Sequence, residues 1–159
     1  MGLRAAALTI GLTGLLLCGC STAVVAPGQS KSEQSTKIDA ATAAVKVGKH
    51  DHAERLMSDY VYRAEDGALK LRNVGLFGED RKKAIDLIVM LLWETGRDKT
   101  LATFASDYLP KYERSVTLCR LAERQARYQD AFTCWNDLGH TDRAERVIRT
   151  DGAIRILRD

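Results

Sequence analysis

Residues 118–138 read LCRLAERQARYQDAFTCWNDL, and this stretch decides the fold. Helix-forming residues dominate both of its halves. The polar run Tyr128-Gln129-Asp130 lies between them, where a turn is expected. The pattern predicts one helix from Tyr112 to Ala126 and a second from Gln129 to Leu138, folded together as an antiparallel hairpin.

Two cysteines, Cys119 and Cys134, lie at equal distances from this turn. Residues placed in this way face each other across an antiparallel pair, and close helix packing brings their Cα atoms within the ~4.4–6.8 Å that a disulfide requires. The spacing therefore predicts a disulfide, with two unpaired buried cysteines as the alternative. A metal site is not expected, because no Cys-x-x-Cys pair or nearby histidine pair completes one.

Helical periodicity extends outward in both directions. It begins near Lys37 and resumes in a second helix from Asp51 to about Ala64. Residues 67–80 are predicted to be a loop, and the apolar run 85–93 is predicted to be the central buried helix. Further helices are expected over 99–108 and 141–150, with one more short helix in 152–159.

Several of the breaks between these helices share one pattern: a small residue, two or three polar residues, and a new helix that opens with alanine. It occurs at 48–53, 126–131 and 139–144, and more loosely at 96–102. The pattern resembles tetratricopeptide-type helical hairpins, although the spacing of the breaks does not keep the ~34-residue period of that family. The resemblance implies an all-α fold, an irregular array of antiparallel helical hairpins stapled by one disulfide. A generic α-bundle is the alternative.

The N-terminal residues have the features of a secretory leader. Arg4 is followed by an apolar run to Leu17, which is shorter than the ~20 residues of a membrane span. Leu17-Cys18-Gly19-Cys20 then resembles the lipobox of bacterial lipoproteins. The resemblance implies cleavage after Gly19, a diacylglyceryl group on the Cys20 thiol and a fatty-acyl chain such as palmitate on the new N-terminus. A plain cleavable signal peptide, or an uncleaved anchor, is the alternative.

This leader predicts the organisation of the chain. Residues 1–19 are the signal peptide, 20–36 are the lipidated N-terminus and flexible tether, and 37–159 are the helical domain. Ser21 follows the lipidated position, and by the same resemblance a residue other than aspartate there favours sorting to the outer membrane, on its periplasmic side. That compartment is oxidising, which favours the disulfide. The formal net charge of +3 gives no reason to expect a nucleic-acid partner.

No catalytic motif is found, and we expect no enzyme activity, cofactor or metal. His50 and His52 lie at a turn without a third ligand. Arg120, Arg124 and Arg127 fall near one helix face, where we expect solvated side chains with ion pairs to Glu123. Tyr60, Tyr62 and Arg63 cluster near the predicted end of the second helix. Tyrosine and arginine are favoured at binding hot spots, so these three are the candidate partner-binding residues, with ordinary packing as the alternative.

The sequence therefore predicts a lipid-anchored interaction protein. Tetratricopeptide-like lipoproteins commonly serve as assembly factors or pilotins, so the resemblance implies a protein partner in an envelope or secretion complex. A conjugation or entry-exclusion lipoprotein is one alternative. A small cell-wall-binding module or enzyme is another.

Overall fold

A computed structural model describes residues 32–65, 67–72 and 75–158, and side chains as far as residue 152. The predicted signal peptide, Cys20 and most of the predicted tether lie outside these residues. The described chain forms seven helices and one two-stranded sheet, which confirms the all-α prediction. In chain order the elements are α1 (Glu33–Lys46), α2 (His50–Met57), β1 (Val61–Arg63), β2 (Leu69–Leu71), α3 (Gly78–Glu94), α4 (Asp98–Tyr108), α5 (Lys111–Arg124), α6 (Tyr128–Asp137) and α7 (Thr141–Arg158).

Four helices end in the same tight turn, at the four breaks identified in the sequence. Each turn has one residue with a left-handed backbone, at φ between 56° and 76°: Gly48, Gly96, Ala126 and Gly139. The next residue donates its N–H to a carbonyl five residues earlier, as in the bond from Arg127 to Ala122 at 2.9 Å. This bond satisfies a carbonyl at the helix end, and the next helix begins one residue later.

The residue five positions after each left-handed residue is buried in the helix interface. At three turns this residue is an alanine, and at the fourth turn, the looser copy of the pattern, it is Leu101. The three alanines are Ala53, Ala131 and Ala144, and none of the four side chains is more than 1% exposed. Because alanine has only a methyl side chain, it lets neighbouring helices approach closely. The shared pattern in the sequence therefore corresponds to a shared turn and a shared packing position.

Consecutive helices pack as neighbours around two apolar clusters. The larger cluster is built mainly by α1 to α4, with α3 at its centre, as the apolar run 85–93 predicted. The smaller cluster lies among α5, α6 and α7 around Trp135. Helix α5 belongs to both, because Leu121 packs into the first cluster while Cys119 and Ala122 pack into the second.

Cys119 and Cys134 form the predicted disulfide between α5 and α6. Their Cα atoms are 5.4 Å apart and their sulfur atoms are at bonding distance. Cys119 is fully buried beside Ala131 and Trp135. The bond therefore joins the two helices of the hairpin at the centre of the smaller cluster.

The second helix is shorter than predicted. α2 ends at Met57 rather than near Ala64, and residues 61–71 form an antiparallel β-hairpin with Val61 opposite Leu71 and Arg63 opposite Leu69. The placement of Tyr60, Tyr62 and Arg63 at a helix end was therefore wrong. The chain turns at Tyr60, which donates its N–H to the Met57 carbonyl at 2.9 Å, and it then enters β1.

Two other boundaries also differ. α1 begins at Glu33 instead of Lys37, because the Ser32 side chain caps it by accepting a hydrogen bond from the Ser35 N–H at 3.0 Å. The predicted tether therefore extends four residues too far, through Thr36. α7 continues to Arg158 as one helix instead of stopping near Thr150. Among the described residues, no helix combines the length and apolar character needed to cross a membrane.

Candidate partner-binding surface

The three candidate residues have different environments. Tyr60 is only 7% exposed and belongs to the larger apolar cluster, so its ring contributes to the core. Tyr62 is 43% exposed on β1, and Arg63 is exposed beside it. The structure thus brings Tyr62 and Arg63 together at the surface and places Tyr60 inside.

Tyr62 and Arg63 border an apolar depression, which we call the β-hairpin recess. It has a volume of about 250 Å³ and lies between the β-hairpin, α2 and the C-terminal half of α3. Most of its lining side chains are apolar: Met57, Val61, Leu69, Ile88, Leu91 and Leu92. Its polar lining residues include Glu54 and Arg97, which form an ion pair with each other.

The β-hairpin is held in place through its second strand. Lys70 forms an ion pair with Asp107 at 2.6 Å, and the backbone N–H of Leu71 donates to the Tyr108 hydroxyl at 3.0 Å. Both partners belong to the last turn of α4. Since β2 is fixed to α4 in this way, β1 is the outer strand of the pair.

The turn before β1 is also held, by α1. Lys37 forms ion pairs with Glu33 at 3.3 Å and with Asp59 at 3.4 Å. The hydrogen bonds to Glu33 and then to Asp59 raise the pKa of Lys37 above its ordinary value. These contacts are at the surface, and they link the start of the β-hairpin to the first helix.

Positive charge at the exposed side of the β-hairpin is not matched by carboxylates of the described residues. Among the described residues, the Arg63 guanidinium donates a hydrogen bond only to the Gly67 carbonyl, at 3.4 Å. Arg72 lies over the Tyr62 ring at 5.6 Å from its centroid, in a cation–π contact. Neither arginine has an ion-pair partner in the described ranges, so this edge of the protein favours an anionic ligand.

A second surface, which the sequence analysis did not identify, lies between α3 and α5. This Trp93 groove has a volume of about 330 Å³ and is lined by Val89, Met90 and Trp93 of α3 and by Thr117 and Arg120 of α5, among others. The Trp93 ring faces Arg120 at 5.4 Å and Arg124 at 4.9 Å. The sequence signal was the helical spacing of Val89, Met90 and Trp93, which pack at the margin of the larger cluster and are only partly buried.

The expected ion pairs of Arg120, Arg124 and Arg127 with Glu123 are not formed. Arg124 instead approaches Asp98 at 3.6 Å, and Arg127 pairs with Asp130 at 2.8 Å. Glu123 points to the other side of α5. There it pairs with Arg143 at 2.9 Å and accepts a hydrogen bond from the Trp135 indole.

His50 and His52, at the start of α2, are not part of a metal site in the part of the chain that the structure describes. No group of three or more His, Cys, Asp or Glu side chains there is arranged to hold a metal ion. His140 instead lies edge-on to the Trp135 ring, at 5.5 Å between centroids, and contacts the Tyr112 hydroxyl at 2.9 Å.

Comparisons with known proteins provide no family for this chain. No protein-family model matches it, no curated protein matches its sequence, and no solved structure matches its fold.

Proposed function

We propose that this protein is an outer-membrane lipoprotein that faces the periplasm and binds another protein of an envelope or secretion complex. The observation that carries the proposal is the β-hairpin recess. It combines an apolar floor with an exposed tyrosine, Tyr62, and an arginine, Arg63, that has no carboxylate partner among the described residues. Protein interfaces have this composition at their centres, where aromatic and arginine side chains contribute most of the binding energy.

The chemistry of the recess favours binding over catalysis. Its lining carboxylate, Glu54, is paired with Arg97 and is therefore not free to act on a substrate. The remaining lining is mostly aliphatic. Such a surface gains free energy by excluding water from a partner's apolar side chains, at about 25 cal/mol per Å² of apolar area.

The proposed lipid anchor supports the same function. A diacylglyceryl group and an amide-linked acyl chain on Cys20 provide more than one chain, which is enough for stable attachment. Attachment confines the domain to the membrane surface. A partner in the same envelope layer then meets it at a raised local concentration.

Partner capture from the envelope tests this proposal. A photo-crosslinking residue at position 62 of the full-length protein should crosslink one defined envelope protein, which mass spectrometry identifies. Replacing Tyr62 and Arg63 with alanine should weaken capture of that protein by at least ~30-fold, the effect of losing ~2 kcal/mol at a hot spot. The thermal midpoint should stay nearly unchanged, because both side chains are exposed.

The chain offers a matched control. Lys111 and Tyr112 are likewise a basic residue and a tyrosine that are adjacent in sequence and exposed, at the start of α5. Replacing both with alanine should leave capture at the wild-type level. If the two double variants weaken capture equally, or if neither does, the β-hairpin recess is not the binding site.

A further inference from the structure

The register of the β-hairpin directs four backbone hydrogen-bonding groups of β1 to its outer edge. Ala64 donates its N–H to Ala68 at 2.9 Å, and Arg72 donates to Tyr60 at 2.8 Å. In an antiparallel pair, residue pairs that exchange hydrogen bonds alternate with pairs that exchange none. The intervening pairs, Val61 with Leu71 and Arg63 with Leu69, are therefore the non-bonded ones.

In such pairs the N–H and C=O groups point away from the partner strand. On β2 this is observed directly, because the Leu71 N–H points outward and is bound by Tyr108. On β1 the corresponding groups are the N–H and C=O of Val61 and of Arg63. No residue in the described ranges forms a hydrogen bond with any of these four groups.

This edge borders the β-hairpin recess, because Val61 and Arg63 are both lining residues. A strand laid along β1 would have alternate side chains directed toward the recess and toward solvent. The recess, at about 250 Å³, is smaller than the ~300–1,000 Å³ of a typical small-molecule pocket. It is suited to one or two side chains of a bound segment rather than to a whole ligand.

We propose that the partner binds by β-strand addition, as an extended segment that pairs with β1 and becomes the third strand of the sheet. This inference rests on the proposed function and specifies its binding mode. The segment has apolar side chains at alternate positions, for the aliphatic recess, and acidic side chains at the positions between them, for Arg72, which lies over the Tyr62 ring on the opposite face of the sheet. Main-chain hydrogen bonds supply affinity in this mode, and the pockets for alternate side chains supply specificity.

Charge and geometry at the edge favour this occupant over an amphipathic helix. A helix satisfies its own backbone groups and would leave the four groups of β1 without partners. An extended segment satisfies them. The positive charge of Arg72, which has no carboxylate partner among the described residues, then selects segments with aspartate or glutamate on that face.

The test uses the full-length protein in detergent and a defined probe, a fluorescein-labelled decapeptide of alternating valine and aspartate. Fluorescence polarisation measures its dissociation constant. Two further probes have the same sequence but are N-methylated, one on every valine and the other on every aspartate. Because an added strand uses the N–H groups of one edge only, one methylated probe should bind at least ten-fold more weakly and the other should bind like the parent.

Two variants at position 63 distinguish the contribution of the backbone N–H to binding from that of the side chain. Arg63→Pro removes the outward N–H and leaves the bonds between β1 and β2 intact, because Arg63 does not donate to β2. Arg63→Ala removes the guanidinium and keeps the N–H. Arg63→Pro should weaken binding at least ten-fold more than Arg63→Ala does. The methylated probes, used with the wild-type protein, give the same information if Arg63→Pro fails to fold.

The outcomes distinguish this inference from the proposed function. No binding by the parent probe, equal binding by both methylated probes, or equal effects of the two Arg63 variants would each overturn strand addition. The crosslinked partner at position 62 would then still support protein binding, in another mode. If the probe binds as expected while no envelope protein crosslinks at position 62, the edge accepts strands and the proposed function fails.

Discussion

Leu71 donates its backbone N–H to the Tyr108 hydroxyl at 3.0 Å, across 37 residues of sequence. This bond fixes the inner strand of the β-hairpin to α4. Lys70 and Asp107 form a second link beside it. The position of the β-hairpin, and of the recess beneath it, therefore depends on the last turn of α4.

Tyr108→Phe tests this dependence. The variant keeps the ring, which packs against Phe104 at 4.6 Å between centroids, and removes only the hydroxyl. The Leu71 N–H then loses its partner in a mostly buried position, which should lower the free energy of unfolding by about 1–2 kcal/mol. Urea denaturation measures the loss, and hydrogen exchange should accelerate at Leu71 more than in α7.

Tyr62→Phe is the control for this substitution. The Tyr62 hydroxyl has no hydrogen-bond partner in the described part of the chain, so its removal should change the free energy of unfolding by less than ~0.5 kcal/mol. Equal losses in the two variants would show that the bond to Leu71 does not stabilise the β-hairpin.

The helical part of the fold could be predicted because its turns depend on local chemistry. A helix end with a left-handed residue favours glycine, which has no Cβ, and a small buried residue lets the next helix pack closely. Both features are visible in the sequence at Gly48 and Ala53, and at Gly139 and Ala144. The disulfide could also be predicted locally, because Cys119 and Cys134 lie at equal distances from the turn between α5 and α6.

The β-hairpin could not be predicted in this way because tertiary contacts stabilise it. Apolar residues continue at helical spacing from Ala53 to Val61, so periodicity alone favours a longer helix. The strands instead depend on Tyr108 and Asp107, which are distant in sequence. A local signal was present, since Val61 and Tyr62 favour strands, residues 69–71 alternate apolar and polar, and Asp66-Gly67 lies between them.

Residue type alone found Tyr62 and Arg63 but not the recess that they border. Its floor is formed by Met57, Ile88 and Leu91, which the sequence marks only as core residues. These buried side chains line a recess only because of how the β-hairpin lies over α3. For the same reason, the residue types of Tyr60 and Tyr62 could not show that only one of them is at the surface.

Ala126 provides a test of the shared turn. It occupies the left-handed position at φ 56°, which glycine occupies in the other three turns. This conformation costs a non-glycine residue ~1–2 kcal/mol. Ala126→Gly should therefore raise the free energy of unfolding by about 1 kcal/mol, because the relieved strain exceeds the entropy cost of a glycine.

Gly139→Ala is the matched opposite substitution. It places alanine at the same position of the next turn, where a Cβ atom would meet no heavy atom within 4 Å. Its cost is therefore conformational, and the free energy of unfolding should fall by about 1 kcal/mol. Urea denaturation of both variants should give changes of opposite sign. A destabilised Ala126→Gly would show that the turns are not equivalent.

Cys20→Ser tests the predicted anchor. Serine lacks the thiol that accepts the diacylglyceryl group, so the variant should incorporate no radiolabelled palmitate and should leave the membrane fraction or accumulate unprocessed. Cys18→Ser is the control, and it should be labelled and fractionate like the wild type. Labelling of the Cys20→Ser variant at the wild-type level would place the anchor elsewhere.

The disulfide should stabilise the domain through the loop that it closes. Cys119 and Cys134 are 15 residues apart, and closing a loop of this length stabilises a protein by ~3 kcal/mol through the entropy of the unfolded chain. Replacing both cysteines with alanine should lower the free energy of unfolding by about that amount. A reducing agent should lower the free energy of unfolding of the wild type by a similar amount and should not change that of the double variant. The Cys18→Ser variant keeps the disulfide, so reduction should destabilise it as much as the wild type. If the reducing agent leaves the wild-type unfolding midpoint unchanged, the bond does not contribute to stability.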